Sequence, residues 1–307
     1  MRSWRRSLDL IAERCPTCDA RTVAHSDATA PTRARPVTPF VPGALCMHES
    51  AIITNADGDQ LAARRELFDL MQTYPATREE LERSLGLFVR GSLLARILAT
   101  FEIYQKIVPL PGAILDLGTW RGQTAVLCEN FRAILEPLNF QRRIHAFDTF
   151  TGYTGFAEHD TRDRKLFSDG TYSLSGEYAD LLRKLLNLHE RSNAMGHVHD
   201  KHHVWEGDCR DTLAAFGEAH PGEMVALAWF DLNVIEPTRH AFDAVMERLV
   251  PGGIVAFWQL TRGGQLPAEG IHYLRDLLGN RPHQIHKAAA YPSLCYLSFP
   301  EGGGARK

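Results

Sequence analysis

The sequence predicts an α/β fold: a mostly parallel sheet covered by helices, closed by an antiparallel C-terminal hairpin and preceded by an N-terminal helical cap. From residue 113 onward, short apolar runs alternate with helix-patterned segments, as in parallel strands joined by helical crossovers. Near the end the alternation stops, and two short runs flank Tyr291, Pro292 and Ser293 in the manner of a hairpin. Length sets the scale. The 307 residues, 44% hydrophobic and 23% charged, suit one large core with an appendage better than two equal domains.

Residues 1–58 are expected to be an extension without regular structure. Positions 20–42 mix Thr, Ala, Pro and Arg without hydrophobic period, and 1–40 carry seven Arg against four acids. Cys15 and Cys18 have a spacing that suits zinc or redox chemistry, but a zinc ribbon needs a second pair, and Cys46 with His48 is a poor one. The six scattered cysteines read as free thiols of a reducing cytoplasm. A helical cap follows over 59–110. Thr77 and Glu80 form a capping-box signature. Over 92–107, Leu94, Ile97, Leu98, Phe101 and Tyr104 recur at helical spacing, which assigns Arg96, Glu102 and Lys106 to the other face. In the main domain, 111–300, strands are expected at 113–117, 144–147, 203–205, 224–232 and 253–260. Helices are expected at 121–135, 177–189, 210–217 and 236–249, the hairpin at 284–288 and 294–299, and a tail at 301–307.

The balance of 34 basic and 37 acidic residues, net charge −3, supplies no general attraction to nucleic acid or anionic membrane. No run reaches the roughly 20 apolar residues that span a bilayer. The expected partner is a small molecule, met in the cytoplasm.

The most informative stretch runs from Ile114 to Thr124. A buried strand enters a glycine turn and then a helix, so the backbone at Gly118 and Gly122 can approach a ligand at the sheet's carboxyl edge. It lacks the Gly-x-Gly-x-x-Gly of a dinucleotide site. Asp116 at the strand end suits a cation instead, and S-adenosylmethionine carries both a sulfonium and an ammonium. Asp148, ending the second strand, is positioned to accept from ribose hydroxyls; Asp208, ending the third, to accept from an adenine amino group. Taken singly, such acids also cap helices. Three at successive strand ends argue for a cofactor held by Asp116, Gly118, Thr119, Trp120, Arg121, Gly122, Thr124, Asp148, Thr149, Asp208, Cys209 and Asp231.

Five ordered blocks carry a resemblance: Asp116-Leu-Gly-Thr-Trp-Arg-Gly-Gln-Thr124, Phe147-Asp-Thr-Phe-Thr-Gly152, Gly207-Asp-Cys-Arg-Asp-Thr-Leu213, Phe230-Asp-Leu-Asn-Val-Ile-Glu-Pro-Thr238 and Leu249-Val-Pro-Gly-Gly253. Over roughly 90–299 the chain resembles the macrocin O-methyltransferase (TylF-type) family. The resemblance implies a Rossmann-like class I methyltransferase sheet, S-adenosylmethionine as cofactor, methyl transfer to an acceptor oxygen of a sugar or secondary metabolite, and a homodimer or larger homo-oligomer. Members of that family usually hold magnesium with one acid in the fourth-strand block and an Asp-Asp pair after the Pro-Gly-Gly strand. Here Asp231 remains, Asn233 stands where a second Asp is common, and Trp258-Gln259 replaces the pair. Trp258 offers a hard cation no oxygen, so no metal is expected.

For catalysis, Asp231 is read either as the base or acceptor-orienting group or as a backbone-bonded Asp, with His240 and His159 as further base candidates. Phe150, Tyr153, Asn233, Glu236, Trp258 and Gln259 are the expected acceptor pocket, with Trp258 either stacking on an acceptor ring or plugging the lost metal position. The segment 159–173, with Arg162, Arg164 and Lys165, reads either as a lid or as a solvated loop. The cluster His197, His199, His202 and His203 reads either as a metal site or, the preferred reading, as an exposed loop. A non-catalytic binding or assembly protein on the same fold is the competing functional reading, resting on the lost Asp-Asp pair.

Overall fold

In the computed structural model the described residues are 56–160, 167–174, 176–193, 200–260 and 271–300, all within the unit 49–307. Cys15, Cys18, Cys46, Arg162, Arg164, Lys165, His197, His199 and the tail lie outside them.

The central apolar runs are hydrophobic on both faces, as strands held between two helical layers must be. The strands are β1 (Ala113–Leu117), β2 (Ile144–Asp148), β3 (His203–Glu206), β4 (Val225–Phe230), β5 (Leu249–Phe257), β6 (Gln284–Lys287) and β7 (Cys295–Ser298). β1 and β4 are buried at every residue. The sheet order is β3-β2-β1-β4-β5-β7-β6, parallel throughout except for β7, which runs antiparallel to both β5 and β6. This is the class I methyltransferase arrangement. Its strand order reverses between β1 and β4, which opens a crevice at their carboxyl ends. Two strand limits differ from expectation in ways that matter. β4 stops at Phe230, leaving Asp231 just beyond it, and β5 stops at Phe257, leaving Trp258 and Gln259 past its end.

The helices are α1 (Gly58–Thr73), α2 (Arg78–Ser84), α3 (Gly91–Ile107), α4 (Gln123–Leu135), α5 (Tyr178–Asn193), α6 (Cys209–Ala219), α7 (Ile235–Met246) and α8 (Ile271–Leu278). Capping boxes start α1 at Asp57 and α2 at Thr77. One face of the sheet packs against Ile103 and Tyr104 of α3, Cys128 of α4 and Leu182 of α5. The other packs against Phe216 of α6, Phe242 of α7 and Leu274 of α8. Among the described residues no single helix is long and apolar enough to cross a membrane.

Helix α3 departs from the simple amphipathic reading. Of the expected apolar stripe only Tyr104 is buried, while Leu94 and Leu98 stay exposed and the buried residues are Ala99, Thr100, Ile103, Tyr104 and Ile107. The three charged residues assigned to the other face also meet the body of the protein. Arg96 lies over Trp258, Glu102 accepts from the Ala289 amide, and Lys106 lies over Tyr296. Each charge is held at this partly covered face by a ring or an amide.

Two buried ion clusters brace α4. Arg142, 1% exposed, donates to Glu136 and to the carbonyls of Ile107, Leu110 and Gly112, while Tyr104 donates to Glu136 at 2.7 Å. Glu129 accepts two bonds from Arg132 at 2.7 Å, and His202 Nε2 lies 2.9 Å from it. The Ile144 amide donates to His202 Nδ1, so the hydrogen of that ring is on Nε2, facing Glu129. His202 is therefore a buried brace rather than part of an exposed loop, because β2 and Glu129 together satisfy both its nitrogens.

Candidate active site

The turn after β1 is stitched to its two neighbours. The Gly118 and Thr119 amides both donate to the Phe147 carbonyl, at 2.9 and 3.1 Å, and the Asp231 amide donates to Leu117 at 2.9 Å. Gly118 has φ +80, and a Cβ there would stand 2.8 Å from the backbone of Asp231. Only glycine allows both the conformation and the approach. Trp120 adopts φ 49 without being glycine; its amide donates to Asp148 Oδ2 at 2.6 Å, which holds the strained residue in place. The Phe150 amide, from another left-handed residue, donates to Asp148 Oδ1 at 2.8 Å. Asp148 thus fixes the turns after β1 and β2 together. Gly122 then opens α4, donating to the Thr119 carbonyl, with its Cα against Leu182.

Three carboxylates converge here. Asp116 is 2% exposed and accepts from Thr119 Oγ1 at 2.6 Å. Burial raises its pKa to about 7; Asp231 and Asp148 add to the rise, whereas the Thr119 bond and Arg96 oppose it. Burial also raises Asp148, against the pull of the Phe150 and Trp120 amides. Asp231 is partly exposed, with Arg96 Nη2 3.8 Å from Oδ2 and Asn233 Nδ2 donating to its carbonyl at 3.0 Å and to Oδ1 at 3.3 Å.

Arg96 is the residue that sequence reasoning missed. Its guanidinium lies 3.9 Å from the Trp258 ring centroid, reaches Thr124 Oγ1 at 3.4 Å and faces Asp231. Trp258 is 1% exposed, stacked at 5.2 Å on Trp229 and met edge-on by Tyr291. Helical spacing alone assigns Arg96 to the polar side of α3, and no local signal reveals that this side faces the strand ends. Asp160 was also missed. Buried at 1% exposure, it accepts from the amides of Ala157 at 2.7 Å and Ile235 at 2.8 Å, and so ties the segment after β2 to the start of α7.

The remaining candidates fall into two groups. Tyr153 lies beside the strand ends: Asn233 Nδ2 is 3.3 Å from its hydroxyl, it stacks on Phe156 at 5.4 Å, and Tyr172 bridges by edge contacts from Tyr153 to Trp120. Arg121 lies over the Trp120 ring at 5.0 Å, and Gln259 shares a small cavity with Asn233 and Thr238. The other group is engaged elsewhere or turned outward. Asp208 caps α6 and takes a two-pronged bond from Arg210 at 2.9 and 2.6 Å, which lowers its pKa. Burial pushes the Cys209 thiol up to about 12. Thr149 Oγ1 closes a turn onto Gly152, and Phe150 is 4% exposed. His159, Glu236 and His240 are exposed.

Comparisons with known proteins agree with this geometry. A family model described as a methyltransferase domain matches residues 115–257. A crystal structure of the calicheamicin methyltransferase CalS11 is 30% identical, covering 80% of this chain and 94% of that one, with a TM-score of 0.74. An apo structure of CalS11, described there as a TDP-rhamnose 3'-O-methyltransferase of calicheamicin biosynthesis, gives 28% identity, 80% and 96% coverage and a TM-score of 0.68. The O-methyltransferase NovP, at 15% identity, 67% and 80% coverage and a TM-score of 0.51, shares the fold. No curated protein matches the chain in sequence. A domain match spanning β1 to β5, joined to 30% identity over nearly the whole of a solved relative, means that this chain belongs to the methyltransferase-domain family, whose fold implies S-adenosylmethionine as cofactor.

Proposed function

We propose that the chain transfers a methyl group from S-adenosylmethionine to a hydroxyl oxygen of a sugar or other natural-product acceptor, in the manner of the macrocin O-methyltransferase (TylF-type) family but without magnesium. The observation that carries this reading is the trio Asp116, Asp148 and Asp231, in which burial and mutual repulsion raise Asp116 to about 7 and Arg96 opposes the rise. Such a donor set favours an organic cation. S-adenosylmethionine, when bound, supplies an activated methyl carbon beside a sulfonium charge.

In this reading Asp116, held by Thr119, faces the ammonium, and Asp148, already holding both turns, offers its carboxylate to the ribose hydroxyls. Asp231 orients the acceptor hydroxyl or takes its proton. Arg96 is a fixed positive charge beside that oxygen, in surroundings where charge that develops during reaction is poorly screened. Tyr153, Phe156, Tyr172 and Trp120 offer an aromatic wall against a sugar ring.

Magnesium does not fit the residues present. The Asn233 amide donates toward Asp231, and Trp258 provides no oxygen while carrying Arg96 on its face. The partner in this reading is a small molecule in the cytoplasm. A homo-oligomer is supported by the exposed Phe68, Leu70, Leu85 and Leu87 of the N-terminal helical segment.

The test is methyl transfer from labelled S-adenosylmethionine to TDP-rhamnose, related nucleotide-linked deoxysugars and glycosylated natural products, with EDTA present. Methylated sugar should form at an undiminished rate, and Arg96→Met should lower kcat about a hundredfold with little change in cofactor affinity. Loss of activity in EDTA overturns the metal-free mechanism. Tight S-adenosylhomocysteine binding without transfer to any acceptor favours the binding-protein reading.

A further inference from the structure

A second group of converging side chains lies away from the strand-end acids. His145 of β2, His203 at the start of β3 and His220 at the end of α6 each offer a ligating nitrogen, and the three atoms lie within 4.8 Å of one another. The sheet register sets His145 beside His203. Their rings stack at 5.1 Å, and the His220 ring is 5.0 Å from each. His145 shares its face of β2 with Phe147, next to Phe216, and lies three residues before Asp148.

Ring contacts with Phe216 and Trp205, mostly edge-on or tilted, explain why three flat rings gather. They do not explain the nitrogens. His145 is 0% exposed; its Nδ1 accepts from Trp205 Nε1 at 3.2 Å, and its Nε2 is buried with no hydrogen-bond partner. A neutral imidazole that accepts at Nδ1 carries its hydrogen on Nε2, so a buried N–H is left without an acceptor. His220 turns Nδ1 toward the Glu223 carboxylate at 3.9 Å, which leaves Nε2 as its ligating atom.

We propose that His145, His203 and His220 form a three-imidazole site for a zinc-type divalent transition-metal ion, which pins β2, β3 and α6 together at the sheet edge. Three nitrogen ligands with water in the fourth position satisfy a tetrahedral ion of this class. Ligation through His145 Nε2 requires the other tautomer. The hydrogen leaves Nε2 for Nδ1, and Trp205 must give up its bond there and turn away. The site is independent of the methyl-transfer reading.

Zinc titrated into the untagged full-length chain tests this. One ion per chain should bind by calorimetry, and His203→Gln and His220→Gln should each weaken binding by about tenfold or more. His197→Gln with His199→Gln should leave affinity unchanged. Trp205→Phe should tighten binding, because it removes the N–H that competes for His145; weakened binding there counts against the assignment. No stoichiometric uptake, or uptake unaltered by both His203→Gln and His220→Gln, overturns the proposal. Cobalt(II) in the unaltered chain gives a check that needs no variant: intense visible bands of tetrahedral coordination are expected, and a weak octahedral spectrum refutes the site.

Discussion

Two groups of carboxylates in this molecule, both raised by burial, end with opposite net shifts. Burial pushes Glu129 up, yet bonds from Arg132 and His202 bring it down to about 2; Glu136 is likewise held low by Arg142, Tyr104 and Asn139. Asp116 and Asp148 lack such matched cations, and both are raised. Both groups are carboxylates pushed up by burial; the partner differs. A buried acid bonded to an arginine is structural cement, whereas in the proposed function a buried acid left with other acids receives a cation from outside.

The comparison breaks most visibly at Arg142. Arg142→Met takes the buried guanidinium away from Glu136, which keeps only the neutral donors Tyr104 and Asn139, and from the carbonyls of Ile107, Leu110 and Gly112, and should destabilise the fold by about 3–5 kcal/mol in chemical denaturation. Adding Glu136→Leu should recover much of that loss. A cost below about 1 kcal/mol for the single variant would place this cluster with ordinary surface pairs.

Asp116→Asn should act in the opposite sense on the fold. Because the folded pKa of Asp116 lies above its unfolded value near 3.8, its neutral form favours the folded state in acid, and that stability is lost as pH rises through about 7. The variant should therefore gain in Tm relative to the parent more at pH 8 than at pH 5, while its S-adenosylmethionine affinity falls about tenfold or more. Glu129 has the reverse sign: its contribution is present above its unfolded value of about 4.5 and is lost as pH falls through about 2. Equal Tm changes for Asp116→Asn at both pH values would remove the distinction between the two groups.

The smallest effect is the most specific. A cation bound beside Asp116 favours its charged form, so cofactor binding near pH 7 should release a fraction of a proton, read from calorimetry in two buffers of different ionisation enthalpy. The release should fade by pH 9, where Asp116 is already ionised, and disappear in Asp116→Asn.

Much of the fold was legible because its strongest signals are local. β4 is a continuous apolar run and β1 one broken only by Asp116 next to its end, the Thr77 capping box forms as its spacing implies, and Asp148 is the last residue of β2. What was illegible is set by distant packing. Arg96 sits at a helical position that periodicity assigns to water, and only the path of α3 across the end of β5 turns it toward Asp231. His145 lies within an apolar run, and its neighbours are 58 and 75 residues further along the chain. α8 went without an expectation, although Ile271, Leu274 and Leu278 stand at helical spacing within its eight residues.

The missing side chain at Gly118 has a further consequence. With 2.8 Å between its absent Cβ and the Asp231 backbone, the turn after β1 rests directly on the residue after β4, with no adjustable group between. The separation of cofactor loop and candidate base is therefore a fixed gauge, set by main chain alone. Redesign for a larger or smaller acceptor has little slack on that axis. Room for change lies at Tyr153, Phe156 and Tyr172, which touch one another through rings that can be exchanged one at a time.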